Sequence, residues 1–123
     1  MDGSDDVWAV IEEFTGDIDT ASNGLYFWGM QDLDNGNGGG SQYHTITMDI
    51  ENVSAYSNMT VSFDYYSLGY DGTDSIEYQI AYDSSNVWSS VPVVQLKKNT
   101  LAWTNVSIAV PTSSPFVRLL LRA

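Results

Sequence analysis

Val61-Ser62-Phe63-Asp64-Tyr65-Tyr66 and Ile76-Glu77-Tyr78-Gln79-Ile80-Ala81-Tyr82 hold the pattern that decides the fold. In the first stretch Val61, Phe63 and Tyr65 fall on one face, and Ser62, Asp64 and Tyr66 on the other. In the second, Ile76, Tyr78, Ile80 and Tyr82 alternate with Glu77, Gln79 and Ala81. Val106, Ile108 and Val110 do the same, with Asn105, Ser107 and Ala109 outside. Successive side chains of an extended chain point to opposite faces. A period of two over five or more residues therefore predicts antiparallel strands with one face buried and one wet. Further strands are predicted near Val7–Thr15, Leu25–Met30, Tyr43–Ile50, Val91–Leu96 and Pro115–Arg122. Asn23-Gly24 and Asp71-Gly72 are tight-turn signals ahead of two of these runs. No window longer than one turn combines a helical period with caps.

About eight short strands separated by Gly, Asn and Ser turns predict an all-β fold: a two-sheet antiparallel β-sandwich, most simply a jelly roll. The 123 residues suffice for a single domain, 1–123, with a sizeable core, and contain neither linker nor internal repeat. Phe116-Val117-Arg118-Leu119-Leu120-Leu121-Arg122 is nearly continuous apolar and reads as an interior strand. We expect one more strand beyond it; without that strand an edge is open to pairing with a second copy.

Charge narrows the partners. Sixteen Asp and Glu stand against four Lys and Arg, a net charge of -12. Nucleic acid and anionic membranes are disfavoured, because too few cations exist to neutralise phosphates. Cations are attracted, and a bound divalent ion would relieve self-repulsion. The 13% aromatic content argues against disorder. No cysteine occurs, which removes disulfides, thiolate metal sites and thiol nucleophiles. The acidic start Met1-Asp2-Gly3-Ser4-Asp5-Asp6 lacks the cationic region of a signal peptide. No apolar run approaches the ~20 residues of a membrane-spanning helix. We read the chain as a module of a longer secreted protein. Asn52-Val53-Ser54, Asn58-Met59-Thr60 and Asn105-Val106-Ser107 are glycosylation acceptors that fit an extracellular setting, though a Ser- and Asn-rich chain also produces such triplets by chance.

Three acidic groups are candidates for metal. Glu12 and Glu13 close the opening strand and are followed by Gly16-Asp17 and Asp19. Asp32, Asp34, Asn35 and Asn37 lie in the glycine-rich loop Gln31–Ser41. Asp71 and Asp74 lie just ahead of Glu77. Glycine lets a backbone turn back at positive φ, so several oxygens can converge, and Ca²⁺ takes six to eight such ligands at roughly 2.3–2.6 Å. Asp, Asn and Gly are also the commonest turn residues, so an ordinary polar loop fits equally well. An EF-hand does not fit: twelve positions counted from Asp32 end at Tyr43 rather than at a Glu. Alternation turns one of Glu12 and Glu13 to solvent.

Catalytic readings are weak. With sixteen acids some pair always meets the spacing of a glycosidase, and a sandwich this small has little room for a deep cleft. His44, the only histidine, sits in the strand pattern Tyr43–Met48 and reads as structural or surface. The aromatics offer more. Tyr26-Phe27-Trp28 must turn some ring outward, as must Tyr65-Tyr66, while Tyr70 and Trp88 fall in loops or strand ends. Exposed rings can stack on the C–H face of a sugar while Asp, Asn and Gln bond its hydroxyls. Large aromatics are most often core, which is the expectation for Trp8 and Trp103. Trp28, Tyr66, Tyr70 and Trp88 are the saccharide candidates.

Two longer stretches carry a resemblance. Trp8-Ala9-Val10-Ile11-Glu12-Glu13-Phe14-Thr15-Gly16 leads to Gly24-Leu25-Tyr26-Phe27-Trp28-Gly29-Met30-Gln31-Asp32-Leu33-Asp34. Val61-Ser62-Phe63-Asp64-Tyr65 leads to Tyr70-Asp71-Gly72-Thr73-Asp74-Ser75-Ile76-Glu77-Tyr78. Together they resemble, at the level of pattern, the jelly-roll modules of secreted bacterial enzymes and adhesins, in the style of galactose-binding-like carbohydrate-binding modules and MAM domains. The resemblance implies a calcium-stabilised sandwich that binds glycan or mediates adhesion. It also implies an ion held by Glu12 or Glu13 together with Asp17 or Asp34, and a closing strand that this sequence does not contain. We therefore expect a non-catalytic extracellular module binding a glycan or polysaccharide, with Ca²⁺ on its loops. Asp34, Asn35, Asp71 and Asp74 are the foremost ligands. The alternative is a calcium-stabilised structural or adhesive domain that associates with another protein or with itself.

Overall fold

The computed structural model describes residues 7–13, 18, 20–31, 44–69, 72 and 74–123. The chain divides into two compact units, Met1–His44 and Thr45–Ala123. All regular structure among the described residues is strand, and every pairing is antiparallel.

In the first unit β1 (Val7–Ile11) pairs with β2 (Phe27–Gln31), in register from Val7 opposite Gln31 to Ile11 opposite Phe27. Gly24 has φ +79°, so the turn foreseen at Asn23-Gly24 uses the backbone freedom of glycine. Val10 lies directly across from Trp28, and both are exposed. All nine acids of this unit, from Asp2 to Asp34, lie in a stretch with no Lys or Arg.

The second unit is a β-sandwich. One sheet has the order β3 (Thr45–Thr47), β9 (Phe116–Arg122), β6 (Glu77–Ala81), β7 (Val94–Gln95), with β4 (Glu51–Asn52) also on β9. The other pairs β5 (Thr60–Tyr65) with β8 (Thr104–Ala109). Val53, Val110 and Val117 form the buried core between them, with Met59, Val61, Ile80 and Tyr82 packed around it. Each fully buried apolar side chain of this size contributes roughly 1.5–3 kcal/mol. Phe63 of β5 meets Tyr78 of β6 edge to face, with ring centroids 5.7 Å apart.

Three sequence expectations change. The predicted strand Tyr43–Ile50 shortens to β3, and pairing with β9 resumes only beyond its predicted end, at β4. Thr47 faces Leu120 and Glu51 faces Val117, so Met48, Asp49 and Ile50 stand opposite only Arg118 and Leu119. The extra residue makes a β-bulge. The nearly continuous apolar run is interior, as expected, since β9 is bonded on both sides; it therefore offers no open edge. Third, Glu77, Gln79 and Ala81 are the more buried set of β6, not its wet face.

Candidate functional site

The second face of the β6–β9 sheet explains that inversion. Directly paired residues share a face, so Glu77 lies beside Arg122, Gln79 beside Leu120 and Ala81 beside Arg118. The segment between β6 and β7 covers this row. Gln79 Nε2 donates to the carbonyls of Trp88 and Val91, at 3.0 and 2.6 Å. Glu77, 1% exposed, accepts from Arg122 Nε and from Gln95 Nε2. A buried carboxylate is tolerated only when paired and hydrogen-bonded, and both conditions hold here.

Arg118 ends the row. Its side chain is 2% exposed. Nε and Nη2 both lie against Asp83 Oδ1, at 3.1 and 3.0 Å, and Nη2 also donates to the Val87 carbonyl at 2.9 Å. The guanidinium carbon sits 4.0 Å from the centre of the Trp88 ring, a cation–π contact. Nη1 is buried and has no hydrogen-bond partner among the described residues. Buried polar atoms are nearly always satisfied, so an orphaned N–H pair requires an explanation.

A cleft of about 380 Å³ opens at this point. Arg118 lines it together with Trp88 and Asn86 of the covering segment and Thr47, Met48, Asp49 and Ile50 of the bulge. Bulges re-aim side chains, and this one brings an acid, a hydroxyl and two apolar groups to the same opening as a buried cation. Apolar surface with a few polar groups converging on it is the usual character of a small-ligand site.

The predicted saccharide residues separate. Trp88 is half-buried in the cleft. Tyr66 is half-buried elsewhere, edge to face with Trp103 at 5.8 Å, and Trp103 is likewise only half-buried. Trp28 is 42% exposed on β2 in the first unit. Tyr70 lies outside the described residues, as does the side chain of Trp8.

Of the predicted metal ligands, Glu12 and Glu13 are exposed just past β1, and Asp74 is half-buried ahead of β6. Asp17, Asp32, Asp34, Asn35 and Asp71 lie outside the described residues. Among the described residues no three His, Asp or Glu side chains gather as a metal site. His44 is half-buried just before β3. Asn52, Asn58 and Asn105, the glycosylation acceptors, are all exposed.

Sequence reasoning missed Arg118, Asp49 and Asn86. Arg118 carried one signal, a cation inside an apolar strand run, which demands a buried partner. No protein-family model, curated protein or solved structure matches this chain.

Proposed function

We propose that this protein is a non-catalytic extracellular carbohydrate-binding module, with structural calcium, and that the saccharide enters the cleft between the bulge and the segment covering β6. What supports the reading above all is the cleft itself, where the half-buried Trp88 ring, stacked on the buried Arg118, stands beside polar and apolar groups of the bulge. Trp88, Met48 and Ile50 supply apolar surface for the C–H face of a sugar ring, and Asp49, Asn86 and Thr47 supply groups that bond hydroxyls. Calcium would be held by the acidic loops, with Glu12, Glu13, Asp17, Asp32, Asp34 and Asn35 as candidate ligands in the first unit and Asp71 and Asp74 as a separate pair in the second. The crowding of nine acids into a stretch without Lys or Arg supports a cation in the first.

Affinity electrophoresis through gels containing soluble polysaccharides tests the saccharide reading. The protein should be retarded by at least one polysaccharide, and Trp88→Ala should run free while keeping its circular dichroism and a cooperative, if lower, melting transition. Retention unchanged by Trp88→Ala would remove this cleft from the reading. No retention, with concentration-dependent association in sedimentation, would instead favour the adhesive alternative. For the ion, melting in EDTA and then with Ca²⁺ or Mg²⁺ restored should give a rise selective for Ca²⁺. A ligand at ~100 times its dissociation constant adds roughly 2.7 kcal/mol. Equal small rises with both ions would reduce the effect to charge screening.

A further inference from the structure

We propose that residues 83–91, the segment covering β6, form a strap that lifts from the sheet as a unit while the sandwich stays folded, and that the cleft exists only while the strap is shut. Asp83-Ser84-Ser85-Asn86-Val87-Trp88-Ser89-Ser90-Val91 holds three apolar residues, none of them fully buried, and Val87 is 57% exposed. A segment with so little apolar burial lacks the main force that ties a chain to its fold. No part of it is strand. The N–H groups of Ser85 and Val87 donate within the segment, to Asp83 Oδ1 and Ser85 Oγ, and that of Val91 donates to the Trp88 carbonyl.

Two side chains of the sheet beneath fasten it. Gln79 bonds the Trp88 and Val91 carbonyls, and Arg118 holds Asp83, the Val87 carbonyl and the Trp88 ring. These are polar contacts that water replaces at small net cost. The rest of the row survives lifting: Glu77 is bonded by Arg122 and Gln95, neither of which belongs to the strap. β6 keeps its ladders to β9 and β7. Arg118 is relieved by opening. Its Nη1 has no partner among the described residues while Val87 and Trp88 lie against the guanidinium, and water reaches it once they leave. The cleft follows the strap, because Asn86 and Trp88 stand on it, whereas Thr47, Met48, Asp49 and Ile50 stand on the bulge and Arg118 on β9. A molecule held between Trp88 and the bulge therefore favours the shut form.

The chain has no cysteine, so a single introduced thiol reports the opening. Ala81→Cys places one on the covered face beside Arg118, where the parent residue is 6% exposed. Val110→Cys places one in the core between the two sheets, at a residue also 6% exposed. Alkylation by iodoacetamide is followed in the whole protein at rising urea concentrations below the unfolding transition. Labelling at position 81 should be faster by at least about a hundredfold and nearly flat in urea, because lifting the strap exposes little surface. Labelling at position 110 should climb steeply, because it waits for global unfolding. Adding Gln79→Ala should speed labelling at position 81 by about tenfold. Adding Val106→Ala, on β8 of the other sheet, should speed labelling at position 110 and leave position 81 unchanged. If Ala81→Cys does not fold, Gln79→Cys sets a thiol on the same face and should label faster still. One steep urea dependence shared by both thiols would overturn the strap, since the face would then open only with the whole domain. Flat labelling at position 81 that Gln79→Ala leaves unchanged would overturn it as well.

Discussion

β5 and β6 carry the same alternating pattern and bury opposite things. In β5 the apolar set Val61, Phe63 and Tyr65 is half-buried, while Thr60, Ser62 and Asp64 are exposed. In β6 the polar Glu77 and Gln79 are the buried pair, and the apolar Tyr78 and Ile80 are only half-buried. The difference lies in what covers each sheet's second face. Among the described residues β5 pairs only with β8, whose polar set Asn105 and Ser107 is exposed too. β6 sits between β9 and β7, and the segment that follows it folds back across its polar face. Period two reports that a strand has two unlike faces; it does not report which face stays wet. A polar face becomes a second interior when a loop and two arginines satisfy it.

The comparison can be broken most sharply at Glu77 and Asp64, two acids at equivalent outward positions of the two strands. Glu77→Ala removes a carboxylate bonded to both Arg122 and Gln95 inside a covered face. Removing one member of a buried pair costs about 3–5 kcal/mol. Asp64→Ala gives up a 2.7 Å bond from Asn105 on a wet surface, where changes stay within about 0.5 kcal/mol. Urea denaturation of both variants should show the midpoint collapsing for Glu77→Ala and barely moving for Asp64→Ala, with similar m values. Equal midpoints would mean that water reaches Glu77 as freely as Asp64.

That contrast marks how far the sequence was legible. Alternation placed β5, β6 and β8 and set the all-β class, because those patterns are local. The inward side chains of β5 were legible for the same reason. The burial of Glu77 and Gln79 was not, since it depends on bonds to Trp88, Val91 and Gln95, many residues away. The cleft shares that limit. Trp88 could be singled out as a ring at a strand end, but its cation–π partner comes from β9 and its neighbour Asp49 from the bulge between β3 and β4. The bulge needed the register of β3 and β4 on β9, one residue apart, which no pattern along the chain encodes. The loop Gln31–Ser41 was the reverse case, conspicuous in sequence yet lying, from Asp32 to Ser41, outside the described residues.

A smaller effect sharpens the comparison from the face that the two sheets share. Tyr82, packed against the Val53–Val110–Val117 cluster, has its hydroxyl pKa pushed up from the ordinary value near 10, first by burial and then by Tyr78. The folded protein thus holds the proton more tightly than the unfolded chain. Stability from this group is complete below pH 10 and falls as pH rises from there through the folded value. Denaturation midpoints at increasing alkalinity should drop for the parent protein and drop less for Tyr82→Phe. Parallel slopes would place Tyr82 in contact with water in both states.

The smallest effect lies where neither sheet dictates the backbone. The segment between β7 and β8 crosses from one sheet to the other and is tied down by Ser67, whose N–H donates to Thr100 Oγ1 and whose hydroxyl donates to the Lys97 carbonyl. Two residues there adopt left-handed conformations, Asn99 at φ 53° and Leu101 at φ 58°. Asparagine tolerates that region; leucine does so at a cost of about 1–2 kcal/mol, because its Cβ crowds the following carbonyl. Leu101 is 69% exposed, so its side chain returns little of that cost through burial. Leu101→Gly removes the crowding but loosens the unfolded chain, which takes back about 0.5–1 kcal/mol. The net expectation is a gain of about 0.5 kcal/mol, read as a small upward shift of the urea midpoint, with Leu101→Asn gaining in the same direction. A loss in both variants would mean that the Leu101 side chain is held by contacts strong enough to outweigh its backbone strain. The crossing would then share the cooperative packing of the two sheets it joins.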